Sequence, residues 1–357
     1  MEILYFAFIY LLLFISVVNY FSIRTPWNAE EVKESITVLL PVRNEEKRIS
    51  HCISALQAQI SVPNLRVLIL NDQSSDATET IAIQQISGDQ RFRLINLQDP
   101  KNGWLGKVSA LQSGFENTES EFVVTIDADV VLRSNAIASA VNLLKDSKLD
   151  FTSPYPKQIA VTFSEKLIQP LLRWSWMSTV ILLLAEKFPR RSTAIANGQF
   201  FVVRSQALQA IGGFESVKSK ILDDVEIARS LISAHFRGVV SEGSSIAETR
   251  MYESFSEIRN GYGKSLHRAF GGAIGTLIAV TFIFITGILP IVLIATGSPL
   301  GWIIYASVVI SRLLSDSRGQ SDNLYSLFHP ISSAILIYLI LYSWKKRGAI
   351  QWKGRNV

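Results

Sequence analysis

Apolar positions in this chain fall into three patterns. Residues 3–21 form an unbroken, uncharged apolar run, long enough to cross a bilayer as one helix. Near the other end, residues 271–296, 300–314 and 327–344 are again dominated by apolar side chains. The first and third of these read as spans. The middle one is short and carries Arg312, which leaves a tight span, a re-entrant piece or an interfacial helix open. Between the apolar ends, short β-branched runs alternate with amphipathic ones. Residues 36–40, 65–70, 92–96 and 122–126 read as buried strands. Residues 45–58 are helical, with Ile49, Ile53 and Leu56 on one face; residues 75–86 and 106–115 continue the helical series. Such alternation predicts an α/β domain with a mostly parallel sheet and right-handed crossovers.

The second half is less regular. Residues 164–187 are helical and rich in Leu, Trp and Ile, but Glu165, Lys166, Pro170 and Arg173 interrupt them too often for a span. An amphipathic helix at the membrane interface fits Trp174 and Trp176, and a core helix fits them equally. The expected organisation is an anchor over residues 1–23, a catalytic domain over 35–268 containing that helix, membrane segments over 271–347, and a basic tail over 348–357.

Composition agrees with a membrane-bound chain. Of 357 residues, 48% are hydrophobic, and the excess sits at the two ends. The first apolar run has no basic stretch before it and no small-residue cleavage site after it, so it reads as an uncleaved anchor. The net charge of +5 comes partly from Arg24, Lys264, Arg268 and the tail Lys345, Lys346, Arg347, Lys353 and Arg355. Basic residues beside apolar spans meet anionic headgroups and follow the positive-inside bias, so no nucleic-acid partner is expected. Cys52 is the single cysteine and the four histidines are scattered. That excludes a disulfide framework and a cysteine-based metal site.

Candidate chemistry gathers where the strands end. The fourth strand stops on Asp127 and Asp129. Two carboxylates one residue apart repel unless a cation lies between them, and oxygen ligands suit Mg²⁺ or Mn²⁺ carrying a substrate phosphate. The turn Gly103-Trp104-Leu105-Gly106-Lys107 ends in a cation at a helix start, a place suited to phosphate. Pro41-Val42-Arg43-Asn44-Glu45 follows the first strand and Asn71-Asp72 the second. Asp72 suits a nucleobase N–H, whereas Ser75 and Asp76 read as helix caps. Further on, Asp223 and Asp224 open a helix. They are either acids favoured by the helix dipole or carboxylates that take a proton from an acceptor.

The ordered set LPVRNEE, LNDQSSDAT, GWLGK, DAD, NGQFFVVR and LDDVEIA resembles the family 2 glycosyltransferases. The likeness is to their membrane-anchored, lipid-glycosylating branch: ceramide glucosyltransferase-like, hopanoid-associated and staphyloxanthin-type enzymes. It covers residues 36–268, and the tail Trp352-Lys353-Gly354-Arg355 is similar to the ending of such enzymes. The resemblance implies a GT-A fold and a nucleotide-sugar donor, a UDP-sugar being favoured. It also implies a lipid acceptor, a divalent metal and inversion at the anomeric carbon. It would place Pro41, Arg43, Glu45 and Asp72 around the nucleotide and Lys107 near the diphosphate. Asp127 and Asp129 would hold the metal, with Asp129 the more direct ligand. Asp224 would be the base, Asp223 its neighbour, and Arg250 and Arg268 further cations for the donor.

Many relatives end the domain with Gln-x-x-Arg-Trp, whereas this chain reads Lys264-Ser265-Leu266-His267-Arg268. That loss, with so few spans, argues against a processive polysaccharide synthase. A membrane-anchored scaffold without turnover is a second reading, against which the intact Asp127, Asp129 and Asp224 stand. A nucleotidyltransferase is a third, but residues 41–45 have no glycine with which to build its phosphate loop. Two C-terminal spans plus a re-entrant segment would put the basic tail on the same, cytoplasmic side as the catalytic domain, at the plasma membrane.

Overall fold

The structure is a computed structural model that describes residues 2–347, apart from Lys101 and Ile221, and residues 351, 352, 355 and 356. The basic tail expected over 348–357 therefore lies largely outside the described residues, Lys353 and Gly354 included.

The chain opens with helix α1 (Glu2–Ser22). Strands and helices then alternate as β1 (Ile36–Val42), α2 (Ile49–Gln57), β2 (Leu65–Asn71), α3 (Thr78–Ile86), β3 (Phe92–Asn96), α4 (Gly106–Glu116) and β4 (Phe122–Ile126). Next come β5 (Val130–Leu132), α5 (Ala136–Asp146), β6 (Phe151–Tyr155), β7 (Lys157–Gln158), α6 (Phe163–Thr179) and α7 (Leu182–Lys187). They are followed by β8 (Phe200–Arg204), α8 (Ser205–Ala210), α9 (Asp223–Ser233), β9 (Gly238–Glu242) and β10 (Ala247–Thr249). The remaining helices are α10 (Phe255–Ala269), α11 (Ala273–Ile283), α12 (Leu289–Ala295), α13 (Pro299–Arg318) and α14 (His329–Lys345). A short hairpin, β11 (Gln351–Trp352) and β12 (Arg355–Asn356), comes last.

Two compact units result. The α/β unit is Arg24–Lys157 with Leu184–Thr249; the helical unit is Met1–Ile23, Gln158–Leu183 and Arg250–Val357. The stretch 35–268 thus divides between the two, because α6 and α10 pack with the apolar helices of the chain ends.

In the α/β unit, seven strands lie in the order β3-β2-β1-β4-β8-β6-β9. β1 pairs parallel with both β2 and β4, β2 with β3, and β6 with β9, while β8 runs antiparallel to its neighbours β4 and β6. Both faces are covered, so the strands read as continuous apolar runs rather than alternating ones. Val38, Leu40, Val124 and Ile126 enter one core layer; Leu39, Val123 and Leu70 enter the other. Gly114 lets α4 approach the sheet closely, since a Cβ there would come within 2.7 Å of Leu70 and 2.9 Å of Leu39.

The order of strands fixes where a ligand can sit. The chain leaves β1 toward β2 and β3, then returns to the opposite side of β1 as β4. In open α/β sheets the crevice lies at the carboxyl ends of the strands where the order reverses, here between β1 and β4. The β1–β4 ladder ends at Leu39 and Thr125. Pro41 therefore comes after the last residue that would need an N–H on that side.

In the helical unit, three helices are long and apolar enough to cross a membrane: Glu2–Ser22, Ala273–Ala295 and Asn323–Lys345. They correspond to the three full spans expected. The middle segment is one unbroken helix of 20 residues, α13, and is not among those three. Several of its polar side chains find partners inside the unit. Fully buried Arg312 donates to Ser332 Oγ at 2.9 Å and to the Leu167 carbonyl at 3.1 Å, and lies 3.5 Å from Asp316. Ser311 binds Ser16 Oγ and Trp174 Nε1 at 2.7 and 2.9 Å. Such polar contacts join helices where lipid offers no hydrophobic drive. The Trp-rich helical stretch is α6, whose Trp174, Trp176 and Met177 are buried; this face belongs to the core alternative. α6 starts on a capping box of Thr162 and Glu165. The stretch breaks before α7, where the side chain of Asn19 binds the carbonyls of Met177 and Val180 and the amide of Leu182.

Candidate active site

The carboxyl ends of β1, β2 and β4 bring together several of the residues that the sequence placed around a donor. Arg43, just after β1, donates to the Asp72 carbonyl at 2.6 Å and lies 3.8 Å from the Asp72 carboxylate. Asp72 follows β2 and is buried. The two loops are laced together further out. Asn44 has a left-handed φ of 53° and accepts from the Ser75 amide, while the Asn44 amide donates to Ser74. The Glu45 amide donates to Thr78 Oγ1 at 2.7 Å. Of the two expected caps, Asp76 accepts from the amide and hydroxyl of Thr78, whereas the Ser75 side chain turns instead to Asn44. Local polar side chains thus fix the loop backbone where no sheet can.

Across the crevice, β4 ends on the acidic pair. Lys107, at the start of α4, places its Nζ 2.7 Å from Asp127 Oδ1; it is an ion-pair partner and not a solvated lysine. Burial alone would lower its pKa, but the carboxylates of Asp127, Asp223 and Asp224 raise it and keep the ammonium charged. Asp129 differs from its neighbour. Its Oδ1 is buried and has no hydrogen-bond partner among the described residues. Burial first, then the charge of Asp127, push its carboxyl up to about 6.

The antiparallel strand β8 supplies what the parallel strands cannot. Running against β4, it brings the residues before Phe200 to the edge where β4 ends, and the Asp127 amide donates to the Gln199 carbonyl at 3.2 Å. Gly198 therefore stands beside both acidic groups. Its amide donates to Asp224 Oδ2 at 2.7 Å, while Asp224 Oδ1 accepts from the Val225 amide at 2.8 Å. Lys107, Thr125, Gly198, Asp223 and Asp224 line one pocket whose walls include Leu111, Phe201, Phe214 and Ile227. Burial first, then Asp223, push Asp224 up to about 6; burial also raises Asp223. A carboxylate held by two amides at a helix start, yet reluctant to ionise, suits a group that gains and loses a proton near neutrality.

The two arginines expected at the donor belong to the helical unit. Arg250 lies 3.2 Å from the fully buried Glu165 carboxylate, and Arg268 is exposed in the last turn of α10. Gly198 was not singled out in the sequence, although the Asn197-Gly198 dipeptide is a turn signal. Its importance comes from the antiparallel direction of β8, which local pattern does not reveal.

The acidic pair can be tested as a cation site. Among the described residues no cluster of three or more His, Cys, Asp or Glu side chains could hold a metal. Two carboxylates, one with an orphaned buried oxygen, still fit a hard cation that completes its shell with phosphate oxygens.

The profile of glycosyl transferase family 2 matches residues 37–212. The 4,4'-diaponeurosporenoate glycosyltransferases of Staphylococcus aureus strains MRSA252 and RF122 / ET3-1 are each 26% identical to the chain, over 343 and 344 residues respectively. In both cases the match covers 90% of this chain and 88% of the relative. A mannosyltransferase of Pyrobaculum calidifontis, solved with GDP-Man and Mn²⁺, superposes with a TM-score of 0.54 at 14% identity. That match covers 97% of this chain and 98% of the other, a likeness of fold, GT-A in type. With the sheet and the ordered motifs in agreement with the profile, residues 37–212 form a glycosyl transferase family 2 domain and the protein is a glycosyltransferase.

Proposed function

We propose that the protein is an inverting glycosyltransferase. It would move one sugar from a nucleotide-sugar donor, a UDP-sugar being favoured, to an oxygen of a membrane lipid. The observation that carries this reading is the pocket in which Lys107, Asp223 and Asp224 meet, beside Asp127 and Asp129 at the switch point of the sheet. Arg43, Glu45 and Asp72 would bound the nucleotide, with Pro41 beneath. Asp127 and Asp129 would hold Mg²⁺ or Mn²⁺, which neutralises charge on a leaving diphosphate. Lys107 supplies a second positive charge at the same place.

The acceptor oxygen forms its bond to the anomeric carbon as the bond to the nucleoside diphosphate breaks, and the electron pair leaves with the diphosphate. A hydroxyl acceptor must also lose its proton, which Asp224 accepts. A carboxylate acceptor arrives without one, and then Asp224 has only to orient it. The names of the Staphylococcus aureus relatives favour an apolar carboxylate acceptor of the carotenoid-acid kind. Arg250 and Arg268 remain candidates for the donor on the family's pattern alone.

The three apolar helices support an integral membrane protein, and the basic residues Lys345, Lys346 and Arg347 at the end of the last of them favour a cytoplasmic end there. Three crossings would then leave the catalytic unit in the cytoplasm, at the plasma membrane. Maleimide labelling of a Lys346→Cys variant from one side of sealed vesicles tests this: labelling from the cytoplasmic face supports it, and labelling from the outside alone contradicts it.

Activity is tested with the purified full chain, radiolabelled UDP- and GDP-sugars, and a lipid extract. Label that moves into the organic phase supports the reading. Label that stays aqueous with every donor, while nucleotide still binds, favours the scaffold reading.

A further inference from the structure

Lys107 stands between two acidic pairs that the proposed reaction uses for different tasks. Its Nζ makes an ion pair with Asp127 Oδ1 at 2.7 Å. It also lies 3.3 Å from where a Gly198 side chain would begin, a point 3.3 Å from Asp224 Cβ. Both partners of the ion pair are mostly shielded, Lys107 being 23% exposed and Asp127 31%, so solvent screens the contact only in part. An ammonium and a divalent cation cannot both bind one carboxylate oxygen closely, because like charges at that range disfavour each other. A metal that takes Asp127 Oδ1 must therefore displace Lys107. Asp223 and Asp224 still face the displaced lysine, but the ion pair to Asp127 is replaced only by a diphosphate drawn to the same metal.

We propose that Lys107 makes cation binding at Asp127 and Asp129 conditional on a nucleoside diphosphate. The lysine competes with the metal until the diphosphate accepts it, and the metal and the diphosphate then enter as one event. The inference rests on the donor reading above and adds a coupling that the reading does not require.

The test is Mn²⁺ binding to the full-length protein in detergent, read from the free-ion paramagnetic resonance signal with and without UDP. Lys107→Met and Lys107→Gln should bind Mn²⁺ without UDP roughly tenfold or more tighter than the unaltered protein, the scale of removing one adjacent like charge. UDP should then tighten Mn²⁺ by a smaller factor in the variants than in the unaltered protein. Thermal melting with unchanged cooperativity establishes that a variant is folded. UDP-dependent Mn²⁺ binding in the unaltered protein, with no gain in either folded variant, overturns the lysine's role but leaves the donor reading standing. Failure of the unaltered protein to bind Mn²⁺ with UDP or GDP overturns both. The unaltered protein gives a further check that needs no variant: Mn²⁺ must tighten UDP by the same factor by which UDP tightens Mn²⁺, and an absence of coupling overturns the proposal.

Discussion

The amide of Gly198 donates to Asp224 Oδ2 at 2.7 Å, and a side chain on Gly198 would begin 3.3 Å from both Asp224 Cβ and Lys107 Nζ. One residue without a side chain thus orients the acidic group and leaves room for the lysine. Gly198→Ala should fold, because the contact is tight by only a few tenths of an ångström. It should lower kcat by roughly tenfold, the effect of a small misplacement in a reacting group, with KM for the donor changed little. Steady-state kinetics with one donor and a saturating lipid check this, and an unchanged kcat contradicts it.

Asp224 gives the reaction a pH signature. Its carboxyl is pushed up to about 6, by burial first and then by Asp223, and only the ionised form accepts a proton. For a hydroxyl acceptor, kcat/KM should fall about tenfold per pH unit below that value and level off above it. A carboxylate acceptor has no proton to lose, so Asp224→Asn should lower kcat/KM far less with it than with a hydroxyl acceptor. Stability moves the other way. A carboxyl whose pKa rises on folding favours the folded state when protonated, and that contribution is lost as pH rises through about 6. Asp224→Asn should therefore melt higher than the unaltered protein at pH 8, an advantage that vanishes near pH 4. Melting curves at the two pH values decide it.

Arg250 pairs with Glu165, whose side chain is fully buried and also completes the capping box of α6. Arg250→Ala should destabilise the helical unit by about 1–3 kcal/mol, because a buried carboxylate loses its partner. Glu165→Gln added to that variant should recover part of the loss. Melting in detergent reads both, and full additivity of the two changes contradicts the pairing.

A larger effect is expected where both charges are buried. Arg312 and Asp316 are 0% exposed and 3.5 Å apart on α13. Arg312→Met leaves Asp316 without its cation and should cost about 3–5 kcal/mol. The double variant Arg312→Met, Asp316→Asn should be clearly more stable than the single one. Equal melting temperatures for the two would contradict the account.

How far the sequence could be read follows from what kind of information each element needs. β1 to β4 and α2 to α4 were legible because each is a local period, and Ile49, Ile53 and Leu56 are all fully buried as their spacing required. Asp127, Lys107 and Asp224 were legible as types of chemistry at strand and helix ends. The Lys107–Asp127 ion pair was not, since Lys107 was expected at the diphosphate and only the packing of α4 on β1 and β2 sets its distance. The contribution of Gly198 depends on β8 running against β4, a long-range fact with no local mark. Arg312 was read as an obstacle inside an apolar segment. Its partners Ser332, Leu167 and Asp316 come mainly from other helices, and only they turn α13 from an interrupted span into one continuous helix.

In the proposed reaction a sugar passes to a membrane lipid at the acidic crevice. Mass spectrometry of lipid extracts tests it most directly, from cells that carry the unaltered protein, an Asp129→Ala variant, or neither. The account predicts a hexose-bearing apolar lipid with the unaltered protein only, and accumulation of its unglycosylated form in the other two. Identical lipid profiles in all three, with the protein present in the membrane, would contradict it.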